Sequence, residues 1–527
     1  MSPNGLGAAG PQVNVRRNVY SLDPGGPEIA ALRRGIAEMM RRSQVNPADP
    51  TGWLYQANIH GTTDRPLLPV WATCQHGSFF FLSWHRMYLY FFERILRRAS
   101  GDPGLALPYW DYSGSARQSA LPRAFRDPAD PSNPLYVRER NPGINRGERL
   151  PPSVVSFAEA FRYSNFHSPT GSDESFGGQI LRRPEHVTGV HGRLESAPHD
   201  AIHGQIGGRN GWMSRVTLAA RDPIFWLHHA NIDRLWKRWL DLGNNNPGHE
   251  PAEEVWWSHP FTFFDEGGVQ VTMTARASID TLGQLGYRYE DDPPPIPAIR
   301  FARDIGAMRA ESAAEEQPPE VIVGTSAQPV ELGDEPVTVS IPMQPTAATE
   351  LVAALQPAAG AEAGPAERDA TRTVQGRVLL HLTDITFDEP PGVTYDVYLD
   401  LPEGEEPSYH SPYFIGTLAF FGMEPMEHDG HQQPADGRRS YDITGNALVL
   451  SERGEWSSQQ VQVTFVRSEL LPPLPGDETP AADAAPATGA APAPEAPPPR
   501  IRIGAVSVAI EPGPEAPPGA PPPPPAP

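Results

Sequence analysis

The stretch "TCQHGSFFFLSWHRMY" (Thr73–Tyr88) sets the terms on which the rest of the chain is read. It holds the only cysteine of 527 residues, two positions before His76 and eleven before His85. The two histidines are nine apart, which on one helix is about two and a half turns and opposite faces. Both can meet if His76 sits on the incoming loop and His85 on the following helix, on a stripe with Leu89, Phe92 and Leu96. An imidazole buried in so apolar a stripe needs a partner for each ring nitrogen, and a metal would supply one. A lone cysteine excludes an intramolecular disulfide, which leaves Cys74 as small buried filler or as a group with chemistry.

Working outward, three more segments carry helical patterning: "GGPEIAALRRGIAEMMRRS", "SAPHDAIHGQI" and "RDPIFWLHHANIDRLWKRWLDLG". In the second, His199 and His203 lie four apart behind Ser196 and Pro198, a plausible helix start, so both rings project from one face as a bidentate metal grip. In the third, Asp222-Pro223 and Gly243 read as start and stop. It presents adjacent His228 and His229, pointing about 100° apart, so one of them faces a shared site. Periodicity does not choose between the stripes Phe225, His229, Ile232, Trp236, Leu240 and Ile224, His228, Asn231, Leu235, Trp239.

Beyond about residue 370 the pattern changes to short alternating apolar runs typical of strands: "VQGRVLLHLTDI", "TYDVYLDL", "YFIGTLAFF", "NALVL", "QQVQVTFVR" and "RIRIGAVSVAIE". The chain therefore divides into a mainly helical domain, 1–301, and a β domain, 372–512. Between them 302–371 reads as an Ala/Pro/Glu-rich connector with at most one strand, "PVTVSIPM". Within the β domain, 471–499 is dominated by Pro and Ala and reads as a disordered insertion, and 513–527 as a Pro-rich tail.

The motifs "WLYQANIHG", "CQHGSFFFLSWHRMYLYFFE", "LESAPHDAIH" and "RDPIFWLHHANIDRLW", in this order, resemble the type-3 copper family of tyrosinases, catechol oxidases, polyphenol oxidases and molluscan haemocyanins. The resemblance spans roughly residues 14–290. It implies a four-helix-bundle domain binding two copper ions, with His60, His76 and His85 on the first and His199, His203 and His229 on the second. His228 is then a neighbour that packs or hydrogen-bonds elsewhere. Imidazole softness alone would also admit zinc, iron or nickel. Cys74-Gln75-His76 is similar to the fungal and molluscan pattern in which the cysteine forms a thioether to the ligand histidine. The implied reaction is oxidation of o-diphenols by O2 to o-quinones, with or without prior o-hydroxylation of monophenols. The rival implication is a haemocyanin-like O2 carrier.

The resemblance also assigns supporting residues. Glu195 matches a glutamate that holds a water near the site. Asp200 departs from the asparagine common in monophenol-hydroxylating relatives, which puts that activity in doubt. Val216, thirteen before His229, falls where plant catechol oxidases carry a phenylalanine over the first copper. Asp233, one turn after His229, is read as an acceptor for a ligand, as a cap or as the partner of Arg234 or Arg238. "FTFFDEGGVQVTM", "LGYRYE" and "RIGAVSVAIE" are similar to the later parts of plant polyphenol oxidases, whose β-rich C-terminal domain covers the copper site. By that analogy a β-sandwich shields the entrance here through Tyr413–Phe421, as in a zymogen.

The charge balance narrows the partners. With 42 basic and 64 acidic residues the formal charge is -22, which disfavours nucleic acid and anionic membrane surfaces. No basic-then-apolar N-terminal run and no long apolar window is present, so the expectation is a soluble, cytoplasmic protein, with export on a partner left open. The oligomeric state is not readable.

Overall fold

The computed structural model describes residues 13–65, 67–126, 132–167, 175–186, 191–242, 249, 251, 253–292, 320–355, 376–423, 426–428, 431–433, 437–456, 459–479 and 500–512. Two hydrophobic clusters organise them. One gathers side chains from Val19 to Tyr289 and the other from Val323 to Ile510. Ala419 and Phe421 cross over, belonging by sequence to the second region and by packing to the first.

The first region is helical. Helix Pro27–Val45 packs along helix Phe81–Ser100, which packs in turn on helix Pro223–Leu242, with the short helix Trp53–His60 against the first. Asp222 starts the Pro223 helix by accepting the Ile224 N–H at 3.0 Å, with Pro223 next, where its missing N–H costs nothing. The buried Asp222 carboxylate is matched by Arg140 at 2.6 and 2.7 Å. The stop residue Gly243 lies outside the described residues; the helix runs to Leu242.

A buried polar hub ties these helices together. Asp233 accepts Arg86 Nε at 2.5 Å, Arg16 Nη1 at 3.2 Å and the hydroxyls of Tyr287 and Tyr289, each at 2.5 Å. Arg16 also donates to Glu93 at 2.8 Å. These contacts correct the reading of Asp233: it touches no ligand histidine, and Arg234 pairs with Asp291 instead. The two guanidiniums hold the Asp233 carboxyl below its usual range despite burial. Breaking such a buried pair costs about 3–5 kcal/mol, so the hub fixes the helices that carry His85 and His229.

The second region is built of sheets. One runs in the order Phe414–Leu418, Tyr395–Leu399, Gln460–Arg467, Val337–Pro342, and another in the order Arg439–Asp442, Gly376–Thr383, Ala505–Pro512, Val321–Thr325. A third joins Val330–Leu332, Ile501–Ile503 and Thr386–Phe387. All of these pairings are antiparallel.

Three expectations change here. The stretch read as a connector supplies three strands, Val321–Thr325, Val330–Leu332 and Val337–Pro342, and a helix, Ala347–Ala354. Val337–Pro342 is the strand expected at "PVTVSIPM"; the other two, of five and three residues, pair with partners more than a hundred positions away and carry no local signal of their own. "NALVL" is helical, within Thr444–Glu452, where Ala447 and Leu450 face inward three apart and Asp442 accepts the Thr444 N–H at 2.9 Å. A short apolar run does not distinguish the two. Residues 471–479, read as disordered, dock on the helical region: Arg149 and Leu471 exchange two backbone hydrogen bonds of 2.8 Å, and Arg126 reaches the Asp477 carbonyl at 2.7 Å. The rest of that insertion, 480–499, the tail 513–527, and 302–319 and 356–371 of the connector lie outside the described residues. Among the described residues no helix is long and apolar enough to cross a membrane.

Candidate metal centre

Six histidines from four separate segments meet in the first cluster. His60 ends helix Trp53–His60, His76 lies on the loop after Cys74, and His85 sits in helix Phe81–Ser100. His199 falls in the irregular turn Glu195–Asp200, where Ala197 leaves helical geometry, and His203 in the regular helix Ala201–Gly207 that follows. Their ring centroids are 4.6 Å apart. His229 stacks on His85 at 4.4 Å with planes 11° apart, linking the two halves.

The rings are aimed by what their Nδ1 atoms touch. His60 Nδ1 donates to the Val216 carbonyl at 3.0 Å, His85 Nδ1 to Phe81 at 2.8 Å and His203 Nδ1 to Met213 at 2.7 Å. His76 Nδ1 lies 3.0 Å from Glu195 Oε1, and His199 Nδ1 lies 2.9 Å from Asp200 Oδ1. Five rings thus spend Nδ1 on an oxygen and turn Nε2 inward, the arrangement that fixes tautomer and orientation in metal-ligating histidines. Gly61 makes one of these contacts possible, since a Cβ there would lie 2.5 Å from the Val216 carbonyl oxygen.

These groups fit a metal on their own chemistry. A ring whose Nδ1 donates to a carbonyl has a bare lone pair on Nε2. Yet His60 Nε2 faces His76 Nε2 at 3.2 Å, and His203 Nε2 faces His229 Nε2 at 3.3 Å. Among the described residues, His85 Nε2 and His199 Nε2 are buried without a hydrogen-bond partner. Converging lone pairs repel unless a cation lies among them. Protonation does not relieve this, because burial, followed by neighbouring rings, holds all six well below the usual histidine range. The donor atoms of His60, His85 and His229 lie within 4.8 Å of one another, as do those of His199, His203, His228 and His229.

His228 packs beside the second group of rings. Neither of its nitrogens has a hydrogen-bond partner among the described residues, and it stacks on His199 at 5.3 Å instead of bonding elsewhere. Burial pushes it down to about 3, so it too is a neutral ring beside the cluster.

Cys74 is fully buried, which raises its thiol well above the usual range. Its Sγ lies within 4.8 Å of donor atoms of His60 and His76, and 3.3 Å from His186 Nδ1. Glu195, fully buried, accepts the Gly77 N–H at 3.0 Å as well as facing His76. Burial pushes it up to about 8 against the pull of His191. Val216 is itself buried and contributes its backbone carbonyl to His60.

Three contributors escaped the sequence reading. His191 Nδ1 lies 2.8 Å from Asp200 Oδ2, Arg439 reaches the same oxygen at 3.1 Å, and His186 borders Cys74. Phe421, the last residue of the segment Tyr413–Phe421 expected to shield the entrance, stacks on His203 at 3.9 Å with planes 16° apart. The spacing His191–Glu195–His199, four and four, was the one signal available for any of them.

Comparison with known proteins agrees with this geometry. Residues 50–242 match the model described as the common central domain of tyrosinase, 251–300 the polyphenol oxidase middle domain, and 319–473 a domain of unknown function (DUF7868). The chain is 29% identical over 493 residues to Tyrosinase HcTyr1 of Hahella sp. (strain CCB-MM4), covering 86% of this chain and 95% of that one. It is 32% identical to the chloroplastic polyphenol oxidase A1 of Vicia faba over 54% of this chain and 48% of the plant protein, about half its length. In fold it is similar to latent apple tyrosinase, with a TM-score of 0.59 and 21% identity over 96% of this chain and 98% of that one. Latent aurone synthase matches with a TM-score of 0.57 at 21% identity over 98% and 91%. Residues 50–242 and 251–300 thus carry the central and middle domains of the tyrosinase and polyphenol oxidase family, whose cofactor is a pair of copper ions.

Proposed function

We propose that this protein oxidises o-diphenols to o-quinones with O2, two diphenols and one O2 giving two quinones and two waters. The carrying observation is the set of inward-facing imidazoles whose Nδ1 atoms are tied to oxygens. His60, His76 and His85 would hold one copper and His199, His203 and His229 the other. When bound, the copper pair supplies the electron path from phenol to O2. The chain's own residues keep that site dry and aimed. Phe81 and Phe225 pack against the rings, with centroids 4.7 Å from His85 and 4.2 Å from His229. The Nδ1 contacts hold five of the six rings through turnover without reorganisation. His228 packs against the second copper's ligands, and Cys74 ties the loop ligand His76 through a thioether.

The monophenol step is less supported by this site. Asp200, at the position where hydroxylating relatives carry asparagine, has both oxygens engaged, by His199, His191 and Arg439. It acts here as a structural acceptor and not as a base for substrate. The relatives are named as oxidising enzymes, which gives the oxygen-carrier reading no footing.

The intact chain is latent in this reading. A helical bundle carries the site, and a β-sandwich unit lays Phe421 over it. The ring lies on His203, with its edges toward His76 and His199 at 5.7 and 5.6 Å, and occupies the volume a phenol would need. The test is copper-loaded protein, intact and cut between Asp292 and Glu320, assayed for quinone formation with catechol and with phenol. Two coppers per chain and catechol turnover that rises on cutting are expected; zinc in place of copper, or no turnover after cutting, refutes the assignment.

A further inference from the structure

The β unit reaches the histidine cluster through the ring of Phe421, through Gly422 and through Arg439. Phe421 acts by bulk. At Gly422 the backbone presses so close that a Cβ would lie 3.0 Å from His191 Cε1, with φ at +77°. Arg439 is different, because it brings a permanent charge to a residue adjoining a ligand.

Its setting is closely specified. Arg439 begins the strand Arg439–Asp442, which pairs with Gly376–Thr383 through Arg439↔Leu382. From there Nη2 lies 3.1 Å from Asp200 Oδ2, with the two side chains 7% and 0% exposed, while Nη1 donates to the Arg438 carbonyl at 3.1 Å. Asp200 Oδ2 also takes His191 Nδ1 at 2.8 Å, and Oδ1 takes His199 Nδ1 at 2.9 Å. The carboxylate thus joins a ligand ring of the helical unit to a cation of the β unit, 239 positions away in sequence. A buried carboxylate without such a cation is strongly disfavoured, so the pair binds the units together only when both are seated.

We propose that Arg439 is a positioning residue of the metal centre supplied by the β unit: it holds Asp200 against His199 and His191, and the same ion pair latches the β unit over the site. This rests on the shielded-site reading given above and adds its polar half. The pair restrains a carboxylate that would otherwise have only two imidazoles to choose between, and it is lost in one step when the β unit departs.

The test uses copper-loaded full-length protein carrying a specific protease sequence between Asp292 and Glu320. After cutting, dissociation of the two pieces is followed by size exclusion on dilution. R439Q should weaken their association about a hundredfold and D200N by a similar factor, the range of close charge pairs at interfaces. The double variant should be no weaker than either single one, and R439K should stay within about tenfold of wild type. Association of R439Q at wild-type strength, or effects of R439Q and D200N that multiply in the double variant, overturns the proposal. Melting of the uncut variants checks that each is folded, and D200N reads the pair from the opposite unit should R439Q disturb its strand. Shielding is judged separately: if the separated helical piece turns catechol over no faster than the intact chain, that reading fails whatever the charge cycle gives.

Discussion

Truncating Phe421 to alanine separates a steric plug from ordinary core packing. The ring is 2% exposed, stacks on His203 at 3.9 Å, and packs in the helical cluster although the strand before it, Phe414–Leu418, belongs to the β unit. Buried Phe→Ala changes cost about 3–5 kcal/mol. Here the lost contacts are made across the two units, so most of the cost falls on the closed arrangement and little on either unit's own fold. Taking about 3 kcal/mol, and about 1.4 kcal/mol per factor of ten, the closed-to-open ratio falls about a hundredfold. Oxygen uptake with catechol by intact, copper-loaded F421A should therefore exceed that of intact wild type by up to about a hundredfold, approaching the cut enzyme. The cut forms of both should turn over equally, because the ring no longer covers the site in either. An intact F421A as silent as wild type, with both cut forms active, would refute the reasoning.

Copper content distinguishes the adjacent histidines: H203A and H229A should bind about one copper fewer per chain by elemental analysis, while H228A keeps both, and loss of copper in H228A would exchange the roles of His228 and His229. Copper-loaded, oxygen-exposed protein should be about 2 Da lighter than its sequence and resist thiol alkylation after unfolding, reporting the Cys74–His76 thioether; an alkylatable thiol rejects it. Asp400 accepts the Gln462 N–H at 2.7 Å, but burial pushes its carboxyl up to about 6. The fold therefore favours the protonated form, so this contribution to stability is complete below the unfolded value of about 4 and is lost as pH rises through about 6. D400N, whose side chain suits the +53 to +47° backbone region used by Asp384 and Asp400 and cannot ionise, should melt higher than wild type at pH 7.5 and equally at pH 4. An unchanged difference across that range would exclude Asp400 as the source.

Much of this protein is local and therefore legible. Capping at Asp222-Pro223, the apolar stripe below His85 and the alternation in "QQVQVTFVR" are properties of neighbouring residues, and each yields an element where it was expected. The spacing of His76 and His85 placed one on a loop and one on a helix for the same reason. Resemblance then connected motifs that periodicity alone could not assign.

Other features lie beyond any local pattern. "NALVL" and the strands at Val321–Thr325 and Val330–Leu332 depend on which segments lie beside them. Asp200 is open to reading as a base or as an ion-pair partner of an arginine or histidine until His191 and Arg439 stand next to it. Within the shielding segment Tyr413–Phe421, only the fold shows that the ring lying on His203 is that of Phe421. Sequence by itself determined the long helices, most of the strands and the imidazoles available to a metal, because backbone propensity and side-chain periodicity act over a few residues. Tertiary structure alone decided what each Nδ1 touches, where the buried charges pair and what covers the site, because those contacts join groups up to several hundred positions apart, and no short-range pattern encodes them.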